Sequence, residues 1–171
     1  MTDDLRIMQA KQAITEQLYR YCRGFDRLDD ELALSVWHEG GTLQYANGPV
    51  QTMAEYLPPS SEIRKLMANC SHQITNILIE VDGNKAVSEA YVTASMQEPL
   101  GDNNEQAENL YRGRYIDQWS YRDAKWGIEH RQFLADSYTR IEFTNGFASS
   151  GFLDTGKRDQ SDPSYAAFAG L

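Results

Sequence analysis

The chain has 171 residues, 41% of them hydrophobic and 11% aromatic, and a formal net charge of −9 from 25 acidic and 16 basic side chains. That length suits one domain with a real core, and the composition is that of a globular protein rather than a disordered one. The acid excess argues against nucleic-acid and anionic-membrane partners, which need clustered Lys and Arg. No apolar run approaches the ~20 residues that span a bilayer.

Ile7, Ala10, Ile14, Leu18, Tyr21, Cys22 and Phe25 recur at helical spacing. They predict an amphipathic helix over about 4–23, capped by Thr2 or Asp3 and stopped by Gly24. A short second helix fits "DDELALSVW"; "HEGG" breaks the pattern, and "TLQYANG" reads as a strand ending in a turn. "TMAEYL" and "SSEIRKLMANC" read as two helical pieces parted by Pro58-Pro59, the second capped by Ser60 or Ser61. "HQITNILIEVDGNKAVSEAYVTASMQ" predicts a hairpin around Asp82-Gly83-Asn84, and "EPLGDNNEQAEN" a polar loop. "LYRGRYIDQWSYRDAKWGIEHRQFLAD" predicts a second hairpin turning near Asp123-Ala124. The tail, 141–171, is rich in Gly, Ser and Asp but carries Phe143, Phe147, Phe152, Tyr165 and Phe168, so its rings are expected to dock on the pocket or a subunit interface. Helices first and long antiparallel strands after them give an α+β fold. A strongly curved mixed or antiparallel sheet closed by the N-terminal helices makes a cone, with residues 1–140 as the cone domain and 141–171 as the tail.

The three histidines, His38, His72 and His130, fit no ligand motif, and Cys22 and Cys70 fit no metal, redox or disulfide pattern. With no phosphate loop, dinucleotide fingerprint or nucleophile elbow, an enzyme of this sequence is expected to use side-chain acid–base chemistry, without metal or organic cofactor. His72 stands ahead of the apolar run Ile74–Val81, either as a base at a pocket or as a loop histidine bonded to backbone. Asp26, like Asp29, fits the N-cap of the second helix, the role its spacing alone favours; its functional reading is a carboxylate that orients an imidazole. Tyr45, on the first strand, is a core residue or a donor to a substrate oxygen. Arg112 and Arg114 share one strand face, Tyr111, Tyr115 and Trp119 the other; the arginines pair with acids or hold an anionic or phenolic oxygen.

"AITEQLYRYCRGFDRLDDELALSVWHEGG", "SHQITNILIEVDGNKAVSEAYV" and "GRYIDQWSYRDAKWGIEHR", spanning roughly 8–135, together resemble the SnoaL-like group of the nuclear transport factor 2 superfamily. The resemblance implies the cystatin-like cone, with an apolar pocket at one end. Relatives include scytalone dehydratase, hexachlorocyclohexane dehydrochlorinase, ketosteroid isomerase-like enzymes, β subunits of ring-hydroxylating dioxygenases, and sphingomonad lyases that release formaldehyde from lignin-derived diaryl compounds. In the dehydratase and dehydrochlorinase branch an Asp after the first helix pairs with a His at the start of a central strand, and Asp26 and His72 fall on those positions. Tyr45 resembles a dehydratase tyrosine that holds the substrate carbonyl through water. The implied catalytic set is therefore His72, Asp26 and Tyr45, with Phe25, Trp37, Met96, Arg114 and Tyr115 against the substrate.

The sequence also departs from the dehydratase. Met96 stands near its second pocket histidine, and Gly113 and Tyr115 stand near its Ser and Asn contacts. These changes point away from scytalone dehydratase itself and toward a larger aryl substrate. The expected function is a cofactor-independent lyase that dehydrates a small lignin-type aromatic or eliminates formaldehyde from it, in a cytoplasmic homo-oligomer, dimer or trimer. The alternatives are a non-catalytic assembly module such as a dioxygenase β-like subunit, and an isomerase or hydrolase in the same pocket.

Overall fold

A computed structural model describes residues 3–45, 47–101, 104–146 and 154–170. Helix α1 (Asp3–Asp26) buries Ala10, Ile14, Leu18, Tyr21, Cys22 and Phe25 along one stripe, as its periodicity predicts. Thr2 lies outside the described residues. Gly24 does not stop the helix: an ideal Cβ there would sit 2.6 Å from the Ala33 backbone nitrogen, so glycine serves the close crossing of α1 and α2. The stop is Leu28, whose φ of +53° is left-handed. Beyond it the Asp29 N–H donates to the Gly24 carbonyl at 2.9 Å, a Schellman closure with leucine where glycine is usual.

Helix α2 (Asp30–Ser35) is capped by Asp29, whose side chain accepts from the Leu32 N–H at 3.0 Å. The cap role open to Asp26 therefore belongs to its neighbour. Strand β1 (Trp37–Tyr45) runs through "HEGG" instead of starting after it. Those residues absorb a register shift between Trp37 and Thr42, and Gly40 takes a φ of +78°. After the short β2 (Gln51–Thr52), α3 (Met53–Lys65) is one helix with Pro58 and Pro59 inside it. It starts at a capping box between Thr52 and Glu55, not at Ser60 or Ser61. The prolines forfeit two N–H donors, but Met53, Leu57, Ser61 and Arg64 are buried along one face, and that burial carries the helix through.

Strands β3 (Asn69–Asp82), β4 (Lys85–Pro99), β5 (Glu105–Arg122) and β6 (Lys125–Thr144) complete a six-stranded sheet in the order β2-β1-β6-β5-β4-β3. Among the described strands only β1 and β6 pair in parallel. Both hairpins turn where the sequence predicts, with Gly83 at φ +57° and Asp123 and Ala124 at +55° and +58°. The polar "EPLGDNNEQAEN" is mostly strand, because β4 and β5 stay paired out to Pro99 and Gln106. Register shifts at Thr75/Leu78, Arg112/Gly113 and Gln118/Trp119 add the bends that curve a sheet. Helix α4 (Pro163–Ala169) brings the described end of the tail onto α1. No described helix is long and apolar enough to cross a membrane.

Candidate active site

Asp26, at the end of α1, meets His72 near the start of β3. The ring Nδ1–H donates to Oδ1 at 2.6 Å and the His72 backbone N–H donates to Oδ2 at 2.9 Å. Both carboxylate oxygens thus grip one residue, and the side chains are only 4% and 14% exposed for the His and the Asp, so water competes poorly for the contact. A carboxylate accepts, so Nδ1 carries the proton and the neutral ring keeps its lone pair on Nε2. Among the described residues none hydrogen-bonds Nε2. Phe25 stands edge-on to the imidazole, with ring centroids 6.0 Å apart.

The other histidines are held structurally. His38 is buried and donates from Nε2 to the Ser120 carbonyl at 3.0 Å, while His130 Nδ1 lies 2.9 Å from the Thr42 hydroxyl. Both cysteines are free thiols, and burial pushes Cys22 up to about 12 and raises Cys70 as well. Thiols so protonated are poor nucleophiles.

From Phe25 a run of aromatic rings continues inward. Tyr21 packs on Phe25 at 4.5 Å and meets the Tyr45 hydroxyl through its own at 3.0 Å. Tyr45 stacks on Tyr56 at 5.1 Å and leans on Phe133 at 5.4 Å. Tyr115 closes the circuit against Tyr21 and Phe133. Burial holds the phenols of Tyr21, Tyr45 and Tyr115 well above their ordinary value, so all three stay protonated and able to donate. Trp37 is buried against Tyr21, and Met96 pairs across from Cys70 beside the His72–Ala94 pair. Gly113 has room for no side chain: a Cβ there would strike the Leu134 carbonyl oxygen and lie 2.7 Å from Phe133 Cε2. The Phe133 ring occupies the space that a serine would need.

Arg114 is not brought to this aromatic cluster. It precedes Tyr115 on β5, and adjacent strand residues face opposite ways; its Nη1 instead donates to Glu89 Oε2 at 3.1 Å. A further buried charge is Arg131, which nothing in the local sequence pattern singles out. Its Nε and Nη2 each donate to Asp117 at 2.7 Å, both side chains are 0% exposed, and the guanidinium carbon lies 4.0 Å from the Tyr115 ring centre and 4.3 Å from that of Tyr21. Burial pulls this guanidinium down, but Asp117 outweighs it and holds it well above its usual value. Half of a signal existed: Asp117 interrupts the apolar stripe Tyr115–Trp119, but its place directly across from Arg131 comes from the β5–β6 register.

Asp26 and His72 also line a groove of ≈ 760 Å³ together with Ile74, Tyr19, Tyr165 and Phe168. Among the described residues no group of three or more His, Cys, Asp or Glu is placed to hold a metal ion. Phe147 and Phe152 lie outside the described residues.

A helix-closed curved sheet with an Asp–His pair where α1 meets β3 defines a protein of the nuclear transport factor 2-like fold. The chain belongs to the SnoaL-like domain family, whose model matches residues 6–132. No functionally curated protein matches the sequence. The fold is similar to that of a Novosphingobium aromaticivorans protein named for scytalone dehydratase, at 20% identity over 75% of this chain and 85% of that one, with a TM-score of 0.65. The hexachlorocyclohexane dehydrochlorinase LinA-type3 of Novosphingobium barchaimii gives 16% identity over 90% and 100% of the two chains and a TM-score of 0.70. A Nostoc punctiforme protein with a cystatin-like fold gives 24% identity over 74% and 90%, and a TM-score of 0.59. At these identities the likeness is one of fold.

Proposed function

We propose that the protein is a cofactor-independent lyase acting on a small aromatic substrate, with His72 as general base, Asp26 as its orienting carboxylate and Tyr45 as a hydrogen-bond donor to substrate oxygen. The observation that carries this reading is the double grip of Asp26 on His72. It fixes the tautomer, leaves Nε2 as the basic atom, and favours the imidazolium that forms on proton transfer. The rings of Tyr19, Tyr165 and Phe168 along the groove beside Asp26 and His72 support an aryl substrate, because ring faces and edges pack well on other rings. Either hydroxyl of the Tyr21–Tyr45 pair can donate to the other; with Tyr21 donating, the Tyr45 O–H is left to meet negative charge as it grows on an oxygen.

Two eliminations balance with this set. In a dehydration, Nε2 takes a C–H proton, the electron pair forms the double bond, and the neighbouring hydroxyl leaves as water with the proton handed back by the His72 imidazolium. In a formaldehyde elimination, Nε2 takes the O–H proton of a hydroxymethyl group, its C–C bond breaks to release formaldehyde, and that electron pair forms a double bond as an oxygen leaving group departs with the proton of the imidazolium. The test is to incubate the dialysed protein, without added cofactor, with a panel of lignin-type aryl alcohols and follow products by mass spectrometry and a formaldehyde assay. The expected result is one product lighter by water, or by formaldehyde together with the leaving group where that group is not tethered to the product. Turnover that appears only on adding a metal ion or nucleotide cofactor, or none across the panel, would sink the proposal.

A further inference from the structure

The C-terminus of an α-helix leaves carbonyls without helical partners, and in α1 those carbonyls belong to the residues that carry the candidate site. Gly24 O is taken by the Asp29 N–H at 2.9 Å, Phe25 O by Arg64 Nη1 at 3.0 Å, and Asp26 O by Arg158 Nε at 3.1 Å. Arg158 does more than cap. Its Nη1 also donates to Arg64 O at 2.7 Å and Met67 O at 2.8 Å, at the end of α3. One guanidinium therefore ties the backbone of Asp26 to the segment that leads into β3 and His72. The strap that presents Arg158 is itself fastened. Asp162 accepts from the Lys157 N–H at 2.9 Å, Tyr165 donates to Asp29 at 3.0 Å, and Arg23 lies over the rings of Tyr165 and Phe168 at 4.7 and 5.0 Å.

We propose that Arg158, which lies outside the 6–132 segment matched by the family model, is a positioning residue for the Asp26–His72 pair. Its three donated bonds set the distance between the end of α1 and the start of β3, and so the length of the hydrogen bond between carboxylate and imidazole. The contacts explain why an arginine is needed: a planar fork reaches three carbonyls on two elements at once, where an ammonium on a flexible stem reaches fewer and holds them less firmly. The catalytic consequence rests on the lyase reading; the geometric one does not.

The test uses the full chain with Arg158→Met and Arg158→Lys, and two readouts. The first is the downfield proton-NMR signal of the His72 Nδ1–H, identified by its loss in His72→Ala. The second is kcat and KM on the substrate found in the panel. In Arg158→Met the Nδ1–H signal is expected to move upfield or broaden away, and kcat to fall by roughly tenfold, within the range for partners that orient a reacting group, while KM stays within about twofold. Arg158→Lys should recover part of both losses. Both variants folding with the wild-type Nδ1–H signal would overturn the proposal, whatever happens to the melting temperature. If Arg158→Met does not fold, Arg158→Lys decides by the same signal, and failure of both to fold also overturns it by making the residue a requirement of the fold. A displaced signal in Arg158→Met beside full activity in His72→Ala would uphold the positioning role and reject the lyase reading instead.

Discussion

Replacing His72 by alanine is expected to lower turnover by about 10²–10⁴-fold while the protein stays folded, which is what removal of a placed general base costs. Asp26→Asn is expected to come close to it. The substitution keeps the shape of the side chain, but Asp26 uses both oxygens as acceptors, from Nδ1–H and from the His72 backbone N–H. An amide has one acceptor oxygen, so its NH₂ must face one of these two donors. The imidazolium formed in the reaction also loses its counter-charge. Because the two residues act as a unit, the double variant should be little worse than the poorer single one. Steady-state kinetics with the melting temperature of each variant would check this. Losses that multiply in the double variant would mean separate roles, and full activity in His72→Ala would remove the mechanism.

The largest expected loss of stability comes from the other charge pair. Asp117→Asn leaves the Arg131 guanidinium among Tyr21, Tyr115 and Trp37 without its counter-ion. Breaking a buried ion pair from one side costs about 3–5 kcal/mol. For a chain of this length each kcal/mol lowers the melting temperature by roughly 2–4 °C. Replacing both partners by apolar residues of similar size, Asp117→Leu with Arg131→Met, should recover most of the loss, because no buried charge is then left alone. Urea titrations at fixed protein concentration would measure both. A loss under about 1 kcal/mol in Asp117→Asn would show that the guanidinium finds another partner or reaches water.

The sequence announces some of these features and conceals others for physical reasons. Both hairpins are legible because their turns need left-handed residues at fixed places, and α1 is legible because one face repeats with the helical period. Gly24, Pro58-Pro59 and "HEGG" mislead for a common reason. Each is a local breaker whose meaning depends on a distant partner: Ala33 for Gly24, the buried face of α3 for the prolines, and the bulged pairing with β6 for the glycines of β1. Asp26 and His72 come forward from the sequence through a family resemblance rather than from spacing, which favoured the cap that Asp29 makes. Arg114 and Tyr115 cannot both face the same side of the sheet, since the pleat separates neighbours, and that alternation is readable in the sequence. Arg131 and Asp117 become a pair only through the β5–β6 register, which bulges shift by single residues. Arg158 carries no local signal at all, since its partners are backbone carbonyls far away in sequence.

The crowding at Gly113 bears on how such a site can change over generations. Reaching a serine there is a single codon's work, yet the side chain would meet the Leu134 carbonyl oxygen, which no trimming of Phe133 removes. The obstruction sits beside the register shift between Arg112 and Gly113, where Asp136 is the extra residue of β6. A lineage could open this position only by sliding one strand along the other, through loss or gain of a residue, and that would also reorient every β6 side chain beyond the shift. Point mutations can change the Phe133 ring beside Gly113, but a side chain at Gly113 itself needs the backbone of β6 to move.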